Sequence, residues 1–283
     1  MTDWFEETDS DDYRVKLKAD RVLYESKTEH QHMVLFENPT FGRVLMLDGI
    51  IQTTENDEFV YHEMLAHLPI LAHGRARRVL IVGGGDGGMA EEVLKHQSVE
   101  QLTMVEIDGS VVDFSKQYLG SICGGAFDDP RLELVIADGF EYVADRAARF
   151  DVIIVDSTDP VGPGKILFTE AFYRRCHGAL TEGGVLVGQL SLPYVFPEVL
   201  RDAMARLRPN FAEATCYLAT VPTYTGGQTA VAWASDDPAL RAVPLEVLQQ
   251  RFAEAAIETR YYTPEVHRAA FALPAFVREL AGA

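Results

Sequence analysis

A chain of 283 residues, 47% of them hydrophobic, is long enough for one large domain or two unequal ones around a sizeable core. Its 43 Asp and Glu outweigh 25 Lys and Arg for a formal charge of -18, so its surface repels nucleic-acid phosphates and anionic membranes and attracts cations. Three widely spaced cysteines (Cys123, Cys176, Cys216), an acidic opening stretch without a leader pattern, and no apolar run of membrane-spanning length predict a reduced, cytoplasmic protein.

In chain order, Val22-Leu23-Tyr24, Met33 to Phe36 and Arg43 to Leu47 predict short strands, with turn signals at Asn38-Pro39 and Asp48-Gly49. Leu47 and Ile50-Ile51-Gln52 flank the Asp-Gly pair as the arms of a hairpin. From Glu58 to Ala72 the apolar residues Phe59, Leu65, Leu68 and Leu71 adopt helical spacing. Beyond Arg78, β-branched runs alternate with helical stretches: Val79 to Val82, Leu102 to Asp108, Leu132 to Asp138, Val152 to Asp156 and Val185 to Gln189. Such runs predict a parallel sheet covered on both faces. Ala214 to Val221 and Ala230 to Ala234 add an antiparallel edge. The expected architecture is α/β: a small N-terminal β domain (1–57), then a Rossmann-like, doubly wound domain (58–283).

Four of these strands run into carboxylates at their carboxyl ends, where open α/β sheets form their ligand crevice. Val82 leads into Gly83 to Gly88 with Asp86 inside the loop, Val105 into Glu106 and Asp108, the third strand into Asp138-Gly139, and the fourth into Asp156. Gly83, Gly85 and Gly88 fit a nucleotide-binding glycine pattern, and Glu106 suits a ribose diol. That much admits a dinucleotide enzyme or an S-adenosyl enzyme. Asp86 favours an ammonium and opposes a pyrophosphate or the carboxylate of S-adenosylmethionine; its competing reading is a helix cap. Asp156-Ser157-Thr158-Asp159-Pro160 sets two carboxylates three residues apart just past a strand. An amine nucleophile with a pKa of about 10.4 must lose a proton to react, so Asp156 is assigned as the base and Asp159 as a partner for an ammonium.

Taken together, Leu47 to Gln52, Asp57 to Met64, Gly83 to Gly88, Val105 to Asp108, Asp156 to Pro163, Pro222-Thr223-Tyr224 and Tyr261 to Pro274 resemble the spermidine synthase (polyamine aminopropyltransferase) family, most closely its bacterial putrescine-using members. The resemblance spans nearly the whole chain. It implies aminopropyl transfer from decarboxylated S-adenosylmethionine, as co-substrate, to putrescine, with no further cofactor and no metal, in a homodimer. It implies that Gln31 and Gln52 frame the nucleoside, Asp86 and Asp156 hold its amine, Glu106 takes the ribose hydroxyls, and Asp138-Gly139 meets the adenine. Tyr61, Asp159 and Tyr224 would line the diamine channel, with His62 beside it, under a loop spanning Ser157 to Leu167. Three departures bear on amine choice: Leu190-Ser191 where Glu-Ser is common, Thr225-Gly226-Gly227 in place of Pro-Ser-Gly, and Ala90-Glu91 in place of Leu-Arg.

His62-Glu63-Met64-Leu65-Ala66-His67 is not a zinc motif, because histidines five apart do not share a helical face. The C-terminal aromatics from Tyr261 to Phe271 read as packing. The competing functions are a methyltransferase or nicotinamide oxidoreductase in the same crevice, a non-catalytic polyamine-binding protein, and an aminopropyltransferase acting on cadaverine, agmatine or spermidine.

Overall fold

The computed structural model describes residues 3–7, 12–27, 31–158, 162–224 and 227–282. Strands β1 (Asp3–Glu6) and β2 (Lys16–Ala19) pair with each other, and both lie in a stretch where the sequence pattern had not indicated strands. Four antiparallel strands follow: β3 (Arg21–Lys27), β4 (His32–Asn38), β5 (Gly42–Leu47) and β6 (Ile50–Thr54). Asp48 and Gly49 join β5 to β6 with φ of 50° and 81°, the positive pair that the strand twist requires of a two-residue hairpin. Alternate residues of β4 serve different cores. Met33 and Leu35 pack with Val111 and Phe114 of the following domain, whereas Val34 and Phe36 pack under Phe5 and Leu17 of the first two strands.

Helix α1 (Glu58–His73) then enters the interior, buried on nearly every side, and ends at Gly74 in the left-handed conformation. The large sheet comprises β7 (Arg78–Gly83), β8 (Gln101–Glu106), β9 (Leu132–Ile136), β10 (Phe150–Asp156), β11 (Leu180–Ser191), β12 (Glu213–Ala219) and β13 (Thr229–Ser235). Its spatial order is β12-β13-β11-β10-β7-β8-β9, parallel except that β13 runs antiparallel to both its neighbours. Between strands lie α2 (Gly88–Leu94), α3 (Gly109–Tyr118), α4 (Gly120–Cys123), α5 (Gly139–Tyr142), α6 (Glu170–Ala179) and α7 (Pro197–Leu207). Helices α8 (Leu245–Ala255), α9 (Pro264–Ala270) and α10 (Ala275–Ala281) close the chain.

Both faces of the sheet are covered. Val79, Ile81, Val152 and Ile154 face α1 and α2, while Leu80, Val82, Ile153 and Val155 face α6 and α7. This two-sided burial is why the strands read as unbroken apolar runs. The strand order reverses between β7 and β10, whose register pairs Gly83 with Asp156. A side chain at Gly83 would bring its Cβ within 1.9 Å of the Asp156 carbonyl oxygen, and its φ is 91°, so glycine is required there. The C-terminal aromatics are structural, as expected. The buried Glu63 carboxylate accepts the backbone N–H groups of Arg260, Tyr261 and Tyr262 at 2.7–2.9 Å, and Tyr262 bonds His267 at 2.9 Å.

No helix among the described residues is long and apolar enough to cross a membrane. The cysteines Cys123, Cys176 and Cys216 are buried and unbridged.

Candidate active site

At the switch point, between the carboxyl ends of β7 to β10 and the edge of the N-terminal sheet, lies a cavity of about 490 Å³. Gln31, Gln52, Tyr61, His62, Asp86, Glu106, Asp138, Gly139, Asp156 and Tyr224 all line it. Asp159, the other residue expected here, lies outside the described residues, as do Thr225 and Gly226. Of the expected covering loop, Ser157, Thr158, Gly164, Ile166 and Leu167 reach the cavity. Among the described residues, its wall carries many carboxylates and no lysine or arginine.

The glycine loop shapes the amine end. Asp86 precedes the N-cap residue Gly87, its Oδ1 accepts the Gly88 N–H at 3.0 Å as the chain turns into α2, and its Oδ2 lies 3.6 Å from Nε2 of His62. A side chain at Gly88 would meet the His62 ring at 2.4 Å, so the third glycine makes room for an imidazole. On its other side, Nδ1 of His62 lies 2.6 Å from Oε2 of Glu58, one helical turn earlier. Burial opposes a charge on His62, but Asp86 first, then Glu58 and Asp156, push its pKa up to about 10. One atom each of His62, Asp86 and Asp156 lies within 4.8 Å of the others. A protonated imidazole has no lone pair for a metal ion, which leaves Asp86 and Asp156 as the acceptors that an ammonium could meet.

Asp156 sits half-buried at the end of β10, its carbonyl accepting the Gly84 N–H at 2.9 Å. Burial raises its carboxyl to about 6, against the opposing pull of His62. Tyr61, buried beside it, has its hydroxyl raised by burial and by that carboxylate. The Tyr61 ring meets Tyr224 edge-on at 5.9 Å, and the Tyr224 hydroxyl donates to the Gln52 carbonyl at 2.7 Å, tying β6 to the loop beyond β12.

At the nucleoside end, Glu106 is 9% exposed, and burial lifts its pKa to about 7. Its Oε1 accepts the Asp108 N–H at 2.9 Å. Asp108 caps α3 through Ser110 and accepts from Nε2 of Gln31 at 3.2 Å, which holds that glutamine in the wall. Asp138 is exposed and caps α5 by accepting the Phe140 N–H at 2.8 Å.

Several lining residues carried no role in the sequence reading. Glu58 could have been found from its spacing of four before His62. Asp57, which ties Thr54 to Thr223 at 2.6–2.8 Å, and Gln189 gave no local signal. Leu190 corrects an expectation: it is fully buried in the core under α7, so its side chain takes nothing from the amine site, while Gln189 and Ser191 line the cavity. Glu91 points away as well, paired with Lys95 at 3.1 Å. His62 and His67 do part company, as their spacing required, since His67 pairs with His96 and Glu92 in the core.

Comparison with known proteins agrees with this geometry. Residues 58–243 match the spermine/spermidine synthase domain, and residues 3–55 match the spermidine synthase tetramerisation domain. A polyamine aminopropyltransferase of Ruegeria sp. (strain TM1040) is 55% identical over 98% of both chains. Polyamine aminopropyltransferase 1 of Pseudomonas aeruginosa is 56% identical over 98% of this chain and 97% of its own. Among solved structures, a spermidine synthase in complex with the transition-state analogue AdoDATO superposes with a TM-score of 0.93 at 42% identity, covering 99% of this chain and 94% of that one. The spermidine synthase of Thermotoga maritima gives 0.90 at 40% identity with the same coverage.

Proposed function

The chain belongs to the spermine/spermidine synthase family and is an aminopropyltransferase, and from that premise we propose that it transfers the aminopropyl group of decarboxylated S-adenosylmethionine to putrescine, giving spermidine and methylthioadenosine. The observation that carries the choice of substrates is the charge of the cavity wall, with its carboxylates and, among the described residues, no lysine or arginine. Such a wall suits a sulfonium nucleoside with an ammonium tail and a second cationic amine, and it opposes pyrophosphate or a substrate carboxylate. Glu106 would take the ribose hydroxyls, whose donors relieve a carboxylate that burial otherwise lifts to about 7. Gln31 and Gln52 would frame the nucleoside, and Asp138-Gly139 the adenine. Tyr61, His62, Asp159 and Tyr224 would line the path of the diamine.

Asp156 is the base in this reading. It accepts a proton from the attacking amine as the new C–N bond forms at the methylene carbon beside sulfur. The C–S bond breaks with its electron pair going to sulfur, which leaves as a neutral thioether. A carboxyl raised to about 6 is still ionised at neutral pH and is a stronger base than an ordinary aspartate. The sulfonium is already a good leaving group, so holding amine and carbon in line supplies much of the remaining acceleration.

The match of residues 3–55 supports self-association through the N-terminal strands. The solution mass separates the dimer implied by the family resemblance from the tetramer named in that domain's description. The same reading divides the chain at Asp57 and puts the enzyme in the cytoplasm.

Donor selectivity tests the reading. In equilibrium titration, decarboxylated S-adenosylmethionine should bind at least about tenfold more tightly than the intact compound, a difference of about 1.4 kcal/mol. Asp86→Asn should narrow that gap. Equal binding of both nucleosides by the wild type would remove charge exclusion from the proposal.

A further inference from the structure

We propose that Glu58 is a positioning residue of the amine site: its carboxylate holds Nδ1–H of His62, turns Nε2 toward Asp86, and keeps a positive imidazolium among the carboxylates that receive the amine. This rests on the aminopropyl-transfer reading above. An acidic residue in the first turn of a helix ordinarily faces water and offsets the helix dipole. Glu58 does something else. Its side chain is 12% exposed, lines the cavity, and lies 2.6 Å from a histidine that is itself 3% exposed. Gly88 packs close against the Cε1–Nδ1 edge of the same ring, where any side chain would collide with it.

The groups facing His62 account for its charge. Glu58 and Tyr61 come from α1, Asp86 from the glycine loop, and Asp156 from β10. Behind them, Glu91 of α2 feels Glu58, and Cys123 of α4 feels Asp86. Asp86 and Asp156 each raise the cost of a second negative charge close by, and the imidazolium offsets it. His62 is the larger of the two influences that lower the titration of Asp156, ahead of the Tyr61 hydrogen bond, so Glu58 acts on the base through the imidazole, two contacts away. Glu58 itself need not touch the substrate.

Two variants separate charge from shape. Glu58→Gln keeps the size and a hydrogen-bond acceptor but removes the charge, while Glu58→Asp keeps the charge on a shorter arm. The rate kcat/KM for putrescine, followed against pH at saturating decarboxylated S-adenosylmethionine, reports the ionisation of the nucleoside complex before the amine binds. The wild type should lose activity through an acid limb at or below about pH 6, set by Asp156 beside the bound cation. In Glu58→Gln that limb should move up by about one pH unit, so activity should fall about twofold at pH 7 and about tenfold at pH 5. Glu58→Asp should lose rate but keep the wild-type limb. Equal loss at every pH in both variants would leave Glu58 a structural role and overturn the inference. Should Glu58→Gln not fold, nitrogen NMR of ring-labelled wild-type protein, with the His62 signals assigned from His62→Asn, decides: both ring nitrogens protonated at pH 8 supports the inference, and a neutral ring overturns it. No turnover of any amine by the wild type would instead count against the underlying reading.

Discussion

Helix α1 carries two buried histidines five residues apart, and they titrate in opposite directions. His62 faces the cavity among Glu58, Asp86 and Asp156, and is pushed up to about 10. His67, one and a half turns on, lies against His96 and Glu92 in the core, and burial pushes it down to about 3. Each histidine has a carboxylate close by, at 2.6 Å and 3.0 Å. What separates them is who else shares that carboxylate. Glu92 also pairs with Lys95 at 2.8 Å, so its charge is already met and a neutral histidine suffices. No lysine or arginine lines the cavity wall among the described residues, so around His62 the anions outnumber the cations and a proton is drawn in. Burial is common to both; the surplus of negative charge marks the region built to receive a cation.

The largest effect that would sharpen this contrast comes from Asp156. Asp156→Asn should lower turnover about 10²- to 10⁴-fold while leaving nucleoside affinity within about threefold of wild type. Near-normal release of methylthioadenosine by that variant would take the base role away from Asp156.

Stability should then depend on pH with opposite signs in the two regions. His67, His96 and His267 all titrate near 3 when folded and near 6.5 when unfolded. The unfolded chain therefore binds more protons as pH falls, and stability should drop from pH 6.5 toward pH 3. His62 titrates higher folded than unfolded, so its contribution is complete below pH 6.5 and fades as pH rises toward 10. Urea unfolding across this range should give a maximum between the two slopes, and Glu58→Gln should flatten only the alkaline one. An alkaline slope unchanged in that variant would break the assignment of His62 as the cation.

The smallest effect is expected from Glu92→Gln, which keeps an acceptor for His67 and removes the counter-ion of Lys95. Half-exposed, Lys95 can turn to water, so a loss of about 1 kcal/mol in unfolding is expected, with kcat unchanged. A fall in kcat comparable to that of Glu58→Gln would erase the distinction between the two histidines.

Much of this was legible before the fold. Apolar runs marked the buried strands, and the Asp48-Gly49 pair fixed a hairpin through its two positive φ angles. The carboxylates closing β7, β8, β9 and β10 had to converge, because parallel strands end on one side of a sheet. What stayed hidden depends on distant pairing or on side-chain direction. The tie from Asp57 to Thr223 spans 166 residues, and the His67–His96 contact spans 29. Strand β1 is short and offers only Asp3-Trp4-Phe5-Glu6, too brief a pattern to declare itself. Leu190 stands between two cavity-lining residues in the chain, but alternation along β11 sends it into the core and its neighbours toward the cavity. Glu58 lies within a stretch that carries the family resemblance, yet its role follows only from its contact with the His62 ring.

Product analysis tests the central claim most directly. The enzyme should be supplied with decarboxylated S-adenosylmethionine and, in separate reactions, putrescine, cadaverine, agmatine and spermidine. Methylthioadenosine released together with spermidine, fastest on putrescine, is the expected result. No release with any amine, despite tight binding of the nucleoside, would contradict it.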